Sequence, residues 1–172
     1  MARTSAGILL YRVRDGAIEA LLVHPGGPFF AHKDLGNWSI PKGEVDGTDD
    51  GLETAAAREF EEETGHPVPA GARLELGWVR QRSGKTVWAW AVEGDIDTTT
   101  MTSNFIEFDW PPIIGHRNRF PEIDRWEYFG PVQARSHMKP AQIPFLDRLE
   151  TALRARAASE APGTESRGDE RK

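Results

Sequence analysis

The chain has 172 residues, 38% of them apolar and 28% charged, with a net charge of −6 at pH 7 and no cysteine. Such a length buries a core without staples and no repeat divides it, so one domain is expected; the absent cysteines exclude disulfides, a thiol nucleophile and Cys-based zinc sites. The acidic balance argues against a general nucleic-acid binder while leaving room for a local basic pocket that holds phosphates, and no apolar run is long enough to span a membrane.

In chain order, Thr4 to Arg12 and Ala17 to His24 read as two apolar strands turned at Asp15-Gly16, a strong hairpin signal. Pro25, Gly26, Gly27 and Pro28 break the chain, and Phe29 to Asn37 forms a loop carrying Phe29 and Phe30. The Gly-Gly pair lacks the Lys-Ser/Thr of a phosphate-binding P-loop and reads as a turn. Trp38 reads as core. Lys42 either touches a substrate phosphate or is a solvated surface lysine.

Pro41 to Gly65, PKGEVDGTDDGLETAAAREFEEETG, dominates the chemistry. Leu52 to Phe60 is strong helix-forming sequence, with Asp49 or Asp50 as N-cap and Gly65 as the stop, giving about three to four turns. On that helix Glu59, Glu62 and Glu63 stand at i, i+3 and i+4 and share one face. They repel one another and lie in the last turn, where the helix dipole disfavours negative charge. A hard divalent cation such as Mg2+ between them reverses the sign, since it takes carboxylate oxygens together with substrate phosphates. The plain alternative is a solvated acidic face. Gly43, Gly47 and Gly51 let the preceding loop fold close to the helix and offer a carbonyl to an ion.

This segment resembles the Nudix box, G-x5-E-x7-R-E-U-x-E-E-x-G-U with U a bulky apolar residue. Arg58 to Gly65 matches the second half at every fixed position. The first half departs: the first Glu of the pattern falls on Asp49 counting forward from Gly43 and on Asp50 counting back from Arg58, so the segment is one residue longer and carries Asp for Glu. His66 stands at the last apolar position.

After the box, His66-Pro67-Val68-Pro69 forces an extended connection. Arg73 to Arg82 and Thr86 to Val92 are expected strands paired through Ser83-Gly84-Lys85, with Trp88 and Trp90 on one face as core or as a base-stacking platform. Arg80, Arg82 and Lys85 cluster near the turn, where they bind substrate phosphates or solvate the hairpin. A strand is expected around Ser103 to Phe108, and Pro111 to Arg119 reads as an irregular substrate lid carrying His116, Arg117 and Arg119. A final helix from about Pro140 to Arg156 carries Leu146, Leu149 and Leu153 at helical spacing. Residues 157–172 turn small, polar and charged, so a Nudix domain over 1–156 and a disordered tail over 157–172 are expected. Arg167-Gly168-Asp169, an adhesion-like tripeptide in that tail, is read as incidental.

The resemblance implies an α+β or α/β fold, a mixed sheet sandwiched between helices. It implies hydrolysis of a nucleoside diphosphate linked to another moiety, with Mg2+ or Mn2+ as cofactor. Dinucleoside polyphosphates or nucleoside triphosphates rank first as substrates, ADP-ribose or sugar nucleotides second. Carried over residue by residue, Glu59 and Glu63 become principal metal ligands, Glu62 a third ligand or the base, the Gly43 carbonyl a backbone ligand and Arg58 the group that orients Glu59. Lys42 and Arg80 are the substrate-binding residues. Glu107, Glu122 and Glu127 are alternatives for an additional acid outside the box. A nucleotide-binding or regulatory module without turnover is the competing reading, because of the altered first half of the box. The expected partner is a nucleotide-type small molecule, with no membrane and no stable nucleic-acid complex, in a cytoplasmic protein of open oligomeric state.

Overall fold

The structure, a computed structural model, describes residues 3–161. Strands β1 (Thr4–Arg14) and β2 (Ala17–Pro25) form the expected hairpin, with Asp15 and Gly16 both at positive φ in the turn. A short strand β3 (Lys42–Glu44) leads to helix α1 (Leu52–Thr64). Strands β4 (Arg73–Arg80) and β5 (Thr86–Glu93) form a second hairpin, followed by β6 (Phe105–Asp109), β7 (Arg117–Pro121) and β8 (Ile123–Phe129). Helices α2 (Pro131–His137) and α3 (Ile143–Glu160) close the chain.

The main sheet runs β4-β5-β1-β2-β8, with β3 also paired to β1. Every pairing is antiparallel except β1 with β5. Both faces are covered, which is why β1 reads as a continuous apolar run and not as an alternation. On one face Ala6, Ile8 and Leu10 meet Ala55, Ala56 and Phe60 of α1. On the other Leu9 and Tyr11 join Trp38, Met138, Phe145, Leu146 and Leu149. The expected mixed sheet between helices is the observed fold. Trp90 is buried and Trp88 packs beside it, so this face of β5 serves the core.

Several local expectations are corrected. The irregular lid is largely a hairpin: Arg117 to Arg119 belong to β7, paired with β6 in a separate two-stranded sheet, and only 110–116 turn between them. Its inner face is aromatic, with Phe108 stacked on Phe120 at 4.8 Å and Phe29 edge-on to Trp110 at 4.7 Å. The strand expected around Ser103 begins at Phe105, and β4 stops at Arg80, short of Arg82. Strand β8 and helix α2 carry no periodic signal strong enough to announce them; β8 exists because it completes the sheet edge beside β2. The last helix runs to Glu160, four residues past the expected end at Arg156, so residues 157–160 are helical. The rest of the expected tail, including Arg167-Gly168-Asp169, lies outside the described residues. Among these, no helix is long and apolar enough to cross a membrane.

Candidate active site

Antiparallel pairing of β3 on β1 sets Gly43 opposite Ala6 and lays Lys42 to Glu44 across the acidic face of α1. The approach is so close that a Cβ on Gly43 would overlap the Glu59 carboxylate, so only glycine fits. Glu63 accepts a hydrogen bond from the Lys42 backbone N–H at 3.0 Å. Glu59 and Glu63 are buried, whereas the Glu62 side chain remains 41% exposed. Glu61 is exposed, away from this cluster.

Arg58 organises the acids. Its Nε and Nη2 donate to the two oxygens of Asp49 at 3.0 and 2.9 Å, its Nη1 to Glu59 at 2.7 Å and to Glu62 at 3.1 Å, and its Nη2 also to the Glu44 carbonyl. This two-point grip on Asp49 decides between the adjacent aspartates: Asp49 faces Arg58, and Asp50 is exposed. The extra residue therefore lies between Asp49 and Arg58. It also corrects the expected N-cap. Gly51 occupies that position with no side-chain cap, because Asp49 is engaged by Arg58. At the other end Gly65, at φ 74°, terminates the helix as expected.

The electrostatics follow from this burial. Desolvation pushes the Glu63 carboxyl up to about 8 against the opposing pull of Lys42, and raises Glu59 against the pull of Arg58. Desolvation likewise lowers the Lys42 ammonium, with Glu63 opposing. Hydrogen bonds from Arg58 hold Asp49 down at about 2. Two desolvated carboxylates beside a backbone strand are an energetic cost that a cation offsets.

A sequence profile described as the NUDIX domain matches residues 1–149. The chain belongs to the Nudix hydrolase family. It is 36% identical over 104 residues to a bis(5'-nucleosyl)-tetraphosphatase of Rattus norvegicus, a match covering 54% of this chain and 66% of the rat protein. It is 33% identical over 78 residues to an 8-oxo-(d)GTP phosphatase of Mycolicibacterium smegmatis, covering 45% of this chain but 24% of that protein. The matches thus span less than two thirds of these relatives' lengths. Among solved structures, a Caenorhabditis elegans Ap4A hydrolase binary complex superimposes with a TM-score of 0.63 at 22% identity, covering 90% of this chain and 99% of that one. The NUDIX domain of Shewanella oneidensis NrtR complexed with ADP ribose gives 0.63 at 15% identity, covering 89% of each chain. These two likenesses concern the fold.

Within the Nudix box the donor set suits a hard divalent ion: carboxylate oxygens of Glu59, Glu62 and Glu63 around a strand whose Gly43 has no side chain in the way. Among the described residues no group of three or more acids or histidines closes a metal site by itself. Glu59 and Glu62 turn to Arg58, and Glu63 turns to the Lys42 amide.

Outside the box, the fold separates the three remaining acids. Glu122, at the β7–β8 junction, lies within electrostatic reach of Glu59, Glu63 and Lys42. Glu107 instead pairs with Arg117 on the hairpin, and Glu127 lines a cleft with Arg12 and Arg14. Lys42 and Arg80 line one pocket together with Arg3, Gln81, Lys85 and Lys139. Gln81 and Lys139 escape sequence reading. Lys139 reaches Lys42 only because its N–H bonds the Trp38 carbonyl at 2.8 Å, a contact that leaves no local pattern. Arg82 borders an adjoining cleft with Lys139.

Proposed function

We propose that this Nudix chain is a metal-dependent hydrolase that cleaves a pyrophosphate linkage in a nucleoside diphosphate derivative, with dinucleoside polyphosphates or nucleoside triphosphates as substrates ahead of ADP-ribose or sugar nucleotides. The observation that carries the reading is the pair of buried carboxylates, Glu59 and Glu63, facing the Gly43 backbone and braced by the Arg58–Asp49 clamp. The activities for which the rat and mycobacterial relatives are named support the ranking of substrates.

In this reading Glu59, Glu62, Glu63 and the Gly43 carbonyl hold Mg2+ or Mn2+, which when bound neutralises the phosphate oxygens and acidifies water. Arg58 holds Glu59 and Glu62 in place, acting on the reaction only through them. Lys42 and Arg80 bind the phosphates. Glu122 takes the proton of the attacking water, with Glu62 as the alternative base; one phosphorus–oxygen bond forms from water and the bond to the bridging oxygen breaks. A cytoplasmic setting fits the cysteine-free composition.

Release of phosphate, pyrophosphate and nucleotides over a panel of dinucleoside polyphosphates, nucleoside triphosphates, ADP-ribose and sugar nucleotides, with Mg2+ or Mn2+, tests the proposal. Turnover is expected to need the metal and to vanish in Glu63→Gln with the fold intact. Full activity in that variant would remove Glu63 from the metal site. No turnover with any substrate, but a melting shift on adding nucleotide, would favour a binding module instead. The two-point contact of Asp49 with Arg58 weighs against that module, because Arg58 has a carboxylate partner despite the altered first half of the box.

A further inference from the structure

The pocket beside the box is built for more negative charge than a diphosphate brings. We propose that it is a subsite for the outer phosphates of a chain of three or more phosphates, and that Lys139 and Gln81 make this enzyme select polyphosphates over diphosphates. The inference rests on the hydrolase reading for its place in catalysis, but not for the existence of the anion site.

The pocket, about 720 Å³, draws Arg3 from the chain start, Lys42 from β3, Arg80, Gln81 and Lys85 from the β4–β5 hairpin, and Lys139 from the segment between α2 and α3. Glu44 takes up two of these cations, Lys85 at 2.9 Å and Arg3 at 3.4 Å. Among the described residues the side chains of Lys42, Arg80 and Lys139 have no carboxylate within 4.0 Å. Like charges that crowd without direct ion pairs oppose folding, and Lys139 registers it: burial first, then Lys42, pull its ammonium down to about 8, with Glu63 opposing.

The main chain at Lys139 is held in place. Trp38 donates its N–H to the His137 carbonyl at 3.0 Å and accepts from the Lys139 N–H at 2.8 Å. Next along the chain, buried Gln142 accepts from the Ile40 N–H at 3.1 Å. Lys139 is thereby fixed beside the strand that carries Lys42.

A second and independent observation is an amide without a partner. The Gln81 Nε2 is buried and makes no hydrogen bond among the described residues, an arrangement that costs stability unless an acceptor arrives. An anion offsets the cations, and it meets the amide once the Gln81 side chain turns into the pocket it lines. Among the described residues the lining contains no aromatic ring, so it offers a nucleobase nothing to stack on and suits phosphates.

Lys42 ties this pocket to the box, since its N–H bonds Glu63 while its side chain lines the pocket. Phosphates at the acidic face therefore continue into the cationic pocket only when the chain extends beyond the linkage being cut. ADP-ribose and sugar nucleotides, with two phosphates, fill the first and leave the second.

The test uses the full chain and two probes, inorganic tripolyphosphate and pyrophosphate, titrated calorimetrically without divalent metal. Tripolyphosphate is expected to bind about tenfold tighter or better, and Lys139→Met and Gln81→Leu to bring the two dissociation constants together. In turnover with Mg2+, Lys139→Met is expected to lower the ratio of kcat/KM for a dinucleoside tetraphosphate over that for ADP-ribose by about tenfold, through KM. Lys139→Arg should restore most of the preference. Equal affinity of the wild type for both probes, or an unchanged preference in both variants, overturns the proposal even if the enzyme is active. A preference for tripolyphosphate that the variants abolish upholds the subsite even if no substrate in the panel is hydrolysed.

Discussion

Arg58 divides its donors among Asp49, Glu59, Glu62 and the Glu44 carbonyl, so a single guanidinium sets the positions of three acids. Asp49→Asn keeps the shape of the brace but removes its charge. Activity should fall about ten- to hundredfold, with a higher Mg2+ requirement in a metal titration, as for other groups that hold a metal ligand in place. Asp50→Asn should leave both nearly unchanged, because Asp50 faces solvent. The reverse result would put the extra residue on the other side of Asp49. Ion pairing with Arg58 depresses Asp49 from 3.8 to about 2, so its stabilising effect is complete above the first value and is lost as pH falls through the second. The melting-temperature gap between wild type and Asp49→Asn should accordingly close on acidification through that window.

Helix α1 ends with no basic residue in its last turn, and its final carbonyls are satisfied from elsewhere. The Trp126 Nε1–H of β8 donates to the Glu63 carbonyl at 2.7 Å, the Asn104 N–H to Glu62 at 3.0 Å and the Thr102 N–H to Thr64 at 3.0 Å. The strand that completes the sheet edge therefore also anchors the box helix. Trp126→Phe keeps one aromatic ring and deletes the donor. It should cost about 0.5–1.5 kcal/mol and lower the melting temperature by about 1–6 °C. No change in thermal unfolding would mean that water replaces the indole N–H without loss. The helix itself, the β1–β2 and β4–β5 hairpins and the Gly65 stop were legible because each depends on residues near in sequence. Strand β8 and the parallel pairing of β1 with β5 were not, since pairing across long loops leaves no local period.

At the scale of the whole molecule, an acidic chain carries a cationic pocket, and the two properties have separate consequences. With its ammonium pulled from 10.5 to about 8 in the folded state, Lys139 opposes folding below that range. Between the two values the unfolded chain binds more protons than the folded one, so the contribution of Lys139 to stability rises with pH. In ligand-free buffer Lys139→Met should therefore melt higher than wild type at pH 7, and the difference should shrink toward pH 10. A variant less stable than wild type at pH 7 would show that Lys139 is held by a stabilising contact and is not a cost accepted for binding.

The sequence alone determined the family, the sandwich of helices about a mixed sheet and the shared face of Glu59, Glu62 and Glu63, because a motif and a helical period need only neighbours along the chain. Tertiary structure decided which aspartate braces Arg58, that Glu122 and not Glu107 or Glu127 comes near the box, and that Lys139 and Gln81 join Lys42. Those pairings are made by strands and loops meeting through space. Their energetics rest on burial and on the distance between charges, quantities that exist only once the sheet has closed.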